Sequence, residues 1–501
     1  MTTVKLLSLN ISKLSIINCQ LNLKGLLKDT AIYGLSSIVG RFLNYMLTPL
    51  YTRAISAESG GYGVVTEVYA YTALILVMLT FGMETTFFRY ANDERENPHT
   101  VFSTTFALVT TLSLCFIAAV WGFIGPIGEW MGYPDHHEYI LMMAICVAID
   151  AIQAIPFCLL RFQKRPIKFA TIKLAFIFLN VGLNLLYFCV LKYTDVFYIF
   201  AINLVCTAVF TFAFIPEFFK TQWHIDLGLL RRMFSYSWPI LVLGLAGILN
   251  QTADKMIFKH LYGDMEAGKV QLGIYGASVK IAMIMAMITQ AFRFAYEPIV
   301  FAANKEKGNE GDKKAYYAEA MKYFIIFTLL AFLTVMAYIE VLLHIIGSGY
   351  REGLRVVPIV MAAEIMMGIY FNLSFWYKLI DKTIWGALFS ITGCIVLILV
   401  NVIFVRHYSY MACAWGGFAG YATCMLFSYF VGQVKNPIPY DLKGIFSYVA
   451  LAAVLYVAMI YTPFEGFADI AYRTLLLCLY LAFICYKDLP VGKILHRFAK
   501  K

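Results

Sequence analysis

The sequence has 501 residues, 61% of them hydrophobic and only 14% charged, with a mean hydropathy of +0.73. Such values exclude an ordinary soluble globular chain, and apolar stretches of roughly 20 residues recur with no length left for a sizeable water-soluble domain. The net charge of +10 has to be explained by where the lysines and arginines fall along the loops.

Residues 1–28 carry Lys5, Lys13, Lys24 and Lys28 among Leu and Ile. Their apolar run is too short and interrupted for a cleaved signal peptide, and the segment reads as an interfacial helix or as an upstream start of little consequence. Apolar runs bounded by charge, Pro and Gly then predict spans at 31–52, 64–88, 101–125, 139–160, 169–191 and 196–216. Eight more follow at 236–260, 273–300, 320–346, 354–377, 384–405, 411–431, 444–462 and 470–486. The fold class is an all-α polytopic membrane protein of about fourteen transmembrane helices.

The loop charges test the count, because one miscounted helix would scramble every later loop. With the N-terminus inside, the cytoplasmic segments hold 28 of the 40 basic residues and the external loops hold 8. Both termini therefore face the cytoplasm, and the net charge reflects topology and attraction to an anionic leaflet, with no basic patch left for nucleic acid. An offset of 210 residues lays 35–46 on 245–256 and Tyr62-Gly63 on Leu272-Gly273. This weak repeat divides the chain into the segment 1–28, a first lobe over 29–220, a second over 231–435, and a terminal pair with its tail over 440–501.

Four basic residues fit no loop: Arg41, Lys255, Lys280 and Arg293. Charges within the hydrocarbon are costly and mark functional candidates. Arg41 lies about ten residues into its helix, near mid-membrane, and Ser37, Arg41, Asn44 and Thr48 share one face. Gln290, Arg293 and Glu297 repeat that pattern, with an i, i+4 ion pair between the last two as the bland alternative. Lys280 points elsewhere, and Lys255, near the outer end of its helix, reads as snorkelling to the interface. Asp150, Glu364, Glu84, Asp254, Glu297 and Glu340 are acids in spans or at their ends, suited as counter-ions or as carboxylates that take up H⁺ or Na⁺. Asp254, one turn after Asn250, and Glu364 lead that group. Prolines 49, 156, 239, 298 and 358 mark kinks, and Trp415-Gly416-Gly417 with Gly420 permits close helix contact.

The eleven cysteines fall mostly inside apolar runs without ligand spacing, and His136 and His137 sit in a charged turn; no metal site and no cofactor is expected. A membrane enzyme such as a polysaccharide polymerase or ligase would need a catalytic external loop, yet external connections run to only about a dozen residues.

The segments LKDTAIYGLSSIVGRFLNYMLTPLYTR (27–53), YGVV (62–65), GMETTFFRY (82–90), LNQTADKMI (249–257) and GIYGASVKIAMI with QAFRFAYEP (273–298) resemble bacterial polysaccharide-transport proteins. These are the Wzx-type flippases for O-antigen and capsule repeat units, in the MOP superfamily that also holds MATE exporters and lipid II flippases. The resemblance implies two six-helix lobes in a V around a central cavity, alternating access in the inner membrane, and undecaprenyl-pyrophosphate-linked oligosaccharide as substrate. It also implies a role in surface polysaccharide or lipopolysaccharide biosynthesis beside polysaccharide polymerase machinery. Cavity cations would hold the pyrophosphate, which Arg41 and Arg293 are placed to do by helix, with Lys280 and Lys255 as further cations; guanidinium binds phosphate oxygens bidentately. A MATE-like exporter of small amphipathic compounds, whose cavity should be acidic and aromatic, and a lipid II flippase stand as alternatives.

Overall fold

The computed structural model of the protein describes residues 45–305, 310–378, 380 and 382–488. Among the described residues there are helices and no strands. In hydrocarbon no water can satisfy a backbone N–H or C=O, so a spanning segment must bond within itself.

The helices that matter for the site are α1 (Leu47–Ala54), α2 (Gly61–Thr80), α3 (Met83–Ala91), α4 (Pro98–Gly122), α5 (Ile124–Trp130), α6 (His137–Phe162), α7 (Pro166–Leu185) and α8 (Phe197–Thr211). They are followed by α9 (Leu227–Tyr262), α10 (Met265–Lys305), α11 (Glu310–Ala337), α12 (Val357–Leu373), α13 (Ile384–Tyr408), α14 (Tyr410–Lys435), α15 (Leu442–Ile460) and α16 (Phe467–Lys487). Twelve segments among the described residues are long and apolar enough to cross a membrane. The helix α14 is as long as these, with Gly416, Gly417 and Gly420 diluting its apolar character. Most of the expected first span, and the interfacial segment 1–28, lie outside the described residues, where α1 picks up the end of that span. The architecture is the expected all-α polytopic one.

Local sequence sets several helix boundaries. Asn97 precedes Pro98 and accepts a hydrogen bond from the His99 amide at 2.9 Å, while Asp226 accepts from Gly228 and Leu229 at 2.7 and 3.1 Å. Each supplies an acceptor to amides that have no partner within the helix. Between α2 and α3, Phe81 and Gly82 both take left-handed backbone angles, with φ of 50° and 67°, which breaks the long second span. Phe81 there stacks on Phe234 of α9 at 4.7 Å. Pro156 and Pro239 lie inside α6 and α9.

Helices α4, α6, α7 and α8 pack with α2 in one group, and α9, α10, α12, α13 and α14 form another. The pair α15 and α16 rests on α11. The two groups meet mainly where α2 crosses α9 and α10. At that crossing Gly63 lies against the α10 backbone: a Cβ on Gly63 would sit 1.9 Å from the Lys269 carbonyl oxygen, and one on Gly273 would sit 2.9 Å from the Gly63 nitrogen. The residues that the 210-residue offset superimposes, Gly63 and Gly273, are thus the ones that touch. Small residues allow such backbone contact where hydrocarbon gives no hydrophobic drive between helices.

Replacing Gly63 by Val should lower the amount of folded protein recovered from membranes and its melting temperature, at a cost of at least about 1–3 kcal/mol from overpacking against backbone. Gly417→Ala, where a Cβ meets nothing within 4 Å, should leave both unchanged. Fluorescence size-exclusion chromatography with a heating series distinguishes the two.

Candidate functional site

Two chambers open inside the bundle. The first, of about 660 Å³, is walled by α2, α6 and α7 and carries Glu84, Asp150, Arg161 and Lys173 together with Gln153 and Asn180. The second, of about 400 Å³, is walled by α9, α10, α12 and α14 and carries Asp254, Lys255, Glu364 and Gln290. Tyr62, Tyr69 and Lys280 line both, so the chambers meet at the seam between the helix groups.

The first chamber is built on polar positions spaced along apolar helices. Asp150 on α6 accepts a hydrogen bond from the Thr207 hydroxyl at 3.4 Å. Gln153, one turn on, donates to the Thr207 carbonyl and the Thr211 hydroxyl, both at 2.8 Å. Lys173 holds its ammonium 4.2 Å from the Phe157 ring, and Arg161 lies 4.9 Å over the Phe88 ring. These aromatic faces orient the two cations without neutralising them.

In the second chamber the Tyr275 hydroxyl donates to Asp254 at 2.7 Å, and Lys255 pairs with Asp254 at 3.1 Å while donating to the Gln251 carbonyl at 2.8 Å. Lys255 therefore faces the chamber, and the snorkelling expected of it is replaced by an internal ion pair. Asn250 donates to the Ser390 carbonyl at 2.7 Å, and its Oδ1 is buried without a partner among the described residues. Lys280 has no hydrogen bond or ion pair among the described residues.

The remaining predicted residues are distributed as follows. Thr48 is buried on the wall of the first chamber. Arg293 lies 4.8 Å over the Phe371 ring beside a small separate void, not on the wall of either chamber. Glu340 pairs with Arg473 at 2.9 Å near the predicted outer end, as a counter-ion. Ser37, Arg41 and Asn44 lie outside the described residues, as does the side chain of Glu297. No cluster of three or more metal-ligating side chains occurs among the described residues.

The cavity walls differ from the basic cavity expected. Among the described residues they carry four cations, Arg161, Lys173, Lys255 and Lys280, against four acids, Glu84, Asp150, Asp254 and Glu364. Two of the cations, Arg161 and Lys173, count by sequence among the cytoplasmic loop charges. Lys173 sits two turns into α7, and an ionisable residue inside an apolar run is the signal that marks it.

A second group also escapes the sequence reading. Glu67 on α2 and Lys259 on α9 form an ion pair at 2.7 Å with both side chains fully buried. The Tyr133 hydroxyl donates to Glu67, and Lys259 donates to the Met131 carbonyl. Lys259 and Lys269 lie 4.1 and 4.9 Å from the Tyr133 ring, and Lys269 donates to the Gly132 carbonyl at 3.0 Å. The network ties α2 and the 131–133 turn to α9 and α10 at the predicted outer end. It lies beside the Gly63–Gly273 crossing, so charge and backbone packing join the two helix groups at the same place.

Residues 26–301 match the family described as polysaccharide biosynthesis protein. The chain belongs to that family. No match is found among curated proteins. Among solved structures, the lipid II flippase MurJ in an inward closed conformation is similar over 91% of this chain and 98% of its own, with a TM-score of 0.71 at 12% identity. An inward-facing multidrug resistance MATE family transporter of the MOP superfamily is similar over 79% of this chain and 94% of its own, at 0.64 and 12%. The MATE multidrug transporter DinF-BH is similar over 83% and 96%, at 0.60 and 16%. This member of the polysaccharide biosynthesis family thus has the fold of these solved structures, with twelve segments among the described residues long and apolar enough to cross a membrane.

Removing one member of the buried pair, by Glu67→Gln or Lys259→Met, strands the other charge and should cost about 3–5 kcal/mol. The double substitution should recover much of that loss. A double-mutant cycle on melting temperature, with a coupling near zero, would contradict this role for the pair.

Proposed function

We propose that this protein is a flippase that carries an undecaprenyl-pyrophosphate-linked oligosaccharide repeat unit from the cytoplasmic to the outer leaflet of the bacterial inner membrane. The observation that carries the reading is the ammonium of Lys280, without a hydrogen bond or ion pair among the described residues, at the seam of two polar chambers in a chain of the polysaccharide biosynthesis family. A lipid diphosphate needs fixed cations in a low-dielectric cavity, where each charge-assisted hydrogen bond is stronger than in water. Lys280 touches both chambers, so a diphosphate held there bears on both helix groups at once. Lys173 and Arg161 extend the cationic path toward the predicted cytoplasmic end, and the hydroxyls and amides of the first chamber suit the sugars. Arg41, on the predicted first span, is proposed as a further phosphate ligand, and Arg293 as a residue that braces α10 against α12 through Phe371.

In this reading the Glu67–Lys259–Tyr133 network is the outer seal of an alternating-access cycle, and both termini lie in the cytoplasm. Asp254, with the Asn250 Oδ1 one turn away and without a partner among the described residues, is proposed as the coupling acid for H⁺ or Na⁺, with Glu364 across the chamber. Hand-over to a polymerase, and the O-antigen or capsule class of the glycan, follow from the same reading. The first lobe (29–220), second lobe (231–435) and terminal pair (440–501) are proposed as its moving parts. A lipid II substrate uses the same chemistry and is a matter of which sugar is attached.

One observation favours a second reading, export of small amphipathic compounds: the walls hold as many acids as cations, with Tyr62 and Tyr69 between them. The two readings separate genetically. In a strain lacking the protein, undecaprenyl-linked oligosaccharide should accumulate on the cytoplasmic leaflet and surface glycan should fall. Lys280→Ala and Lys173→Ala should fail to restore the glycan at unchanged membrane abundance, with losses of tenfold or more. Normal surface glycan in the deletion strain, with raised sensitivity to cationic dyes, would instead establish export.

A further inference from the structure

Outside the two chambers, at the predicted cytoplasmic end, a third concavity of about 750 Å³ lies between the helix groups. It is lined by Arg89, Asp93 and Arg95 from the end of α3 and the turn after it, and by Arg231, Arg232 and Tyr236 from the start of α9. We propose that this groove binds the phosphate or diphosphate headgroup of a membrane lipid. The proposal rests on the flippase reading only for which lipid matters; the headgroup chemistry stands on the groove itself.

Inward-facing positive charge is expected of any membrane protein, so the bare presence of basic residues here carries no weight. Three features exceed that expectation. First, the predicted cytoplasmic segments use mostly lysine: of their 28 basic residues seven are arginine, and four of those seven converge on this one groove. Topology asks only for charge, whereas the planar guanidinium supplies paired N–H donors that match phosphate oxygens.

Second, the arginines are held in place and only partly neutralised. The Arg89 guanidinium lies 4.0 Å over the Tyr236 ring, across the boundary between the two helix groups. Arg95 pairs with Asp93 at 2.7 Å and Arg232 with Glu96 at 2.8 Å. Hydrogen bonds from the Arg95 side chain and amide hold the Asp93 carboxyl down at about 2, so that pair persists at neutral pH. Arg89 and Arg231 have no acidic partner among the described residues. Acids take up two of the four cations and leave two on the wall, the complement a lipid diphosphate requires.

Third, the same stretch of α9 presents Phe234 and Trp238 as exposed aromatic side chains, both in contact with Phe81. Phosphate donors at the helix end and an exposed aromatic surface one turn deeper fit an amphiphile with its headgroup at the interface and its chain along the bundle. A free phosphate would use only the first of these. The groove draws on both helix groups, so a bound headgroup also bridges them.

The test uses full-length protein in detergent and a fluorescent farnesyl diphosphate, with farnesol as the neutral analogue and phosphatidylglycerol as competitor. Arg89→Gln with Arg231→Gln should weaken farnesyl diphosphate binding about tenfold or more and reduce its salt dependence. Farnesol binding and the chromatographic profile should not change, and Lys435→Gln with Lys443→Gln, elsewhere on the same end, should have no effect. Arg89→Lys with Arg231→Lys should restore binding only in part, because the charge returns without the paired donors. Competition by phosphatidylglycerol at equal affinity would assign the groove to bulk anionic lipid, and failure to compete would assign it to the diphosphate carrier. Equal binding of farnesyl diphosphate by the wild type and the Gln double variant would overturn the proposal. That result would leave the flippase reading untouched, since it is decided by the leaflet on which the oligosaccharide accumulates and not by this groove.

Discussion

The rest of the architecture depends on one buried ion pair, Glu67 with Lys259. Two charges removed from water are tolerable only with close geometry and further hydrogen bonds. Here Tyr133 and the Met131 carbonyl supply those bonds, and the aromatic face of Tyr133 supports the ammonium. The pair therefore fixes three chain segments at once, α2, the 131–133 turn and α9. Because Gly63 and Gly273 let the α2 and α10 backbones touch beside it, packing and charge together hold this end of the bundle. Interactions of this kind have two sharp states, made or broken, which suits a seal better than a graded apolar contact would.

Seen from that end, the polar groups inside the bundle have an order. Lys280 stands where the chambers meet, Lys173 and Arg161 lie toward the opposite end, and the Asp254–Lys255 pair sits in the second chamber. A wall with equal numbers of acids and cations holds an anion only where the acids are otherwise engaged. Asp254 is engaged by Lys255 and Tyr275, and Lys280 has no ion pair among the described residues. The local electrostatics, more than net charge, determine what the cavity can hold.

Much of this is legible in the sequence. Apolar length and loop charge fix an all-α polytopic chain, because the hydrocarbon forces backbone bonding into each span. The faint repeat points to Gly63 and Gly273, since the helix crossing they permit allows no side chain at either position. Asp150, Asp254, Lys255, Lys280 and Glu364 are legible as charges in apolar runs. Lys259 and Arg161 are not, because a basic residue within a turn of a helix end is indistinguishable in sequence from a loop charge. Glu67 carries a signal, an acid within Val64-Val65-Thr66-Glu67-Val68, but its partner lies 192 positions away and only the folded crossing brings them together. Arg293 shows the converse: the sequence marks its helical face as polar, yet packing against Phe371 takes it off the chamber wall.

Passage of a diphosphate-linked saccharide through these chambers, as proposed, can be followed directly. The direct measurement places the purified protein in liposomes with a short-chain polyprenyl diphosphate bearing a fluorescent oligosaccharide, and follows the label's accessibility to an impermeant quencher. Protein-dependent movement of the label between leaflets is expected, abolished when Lys280 is replaced by Ala. Movement no faster than in protein-free liposomes, under either H⁺ or Na⁺ gradients, would contradict it.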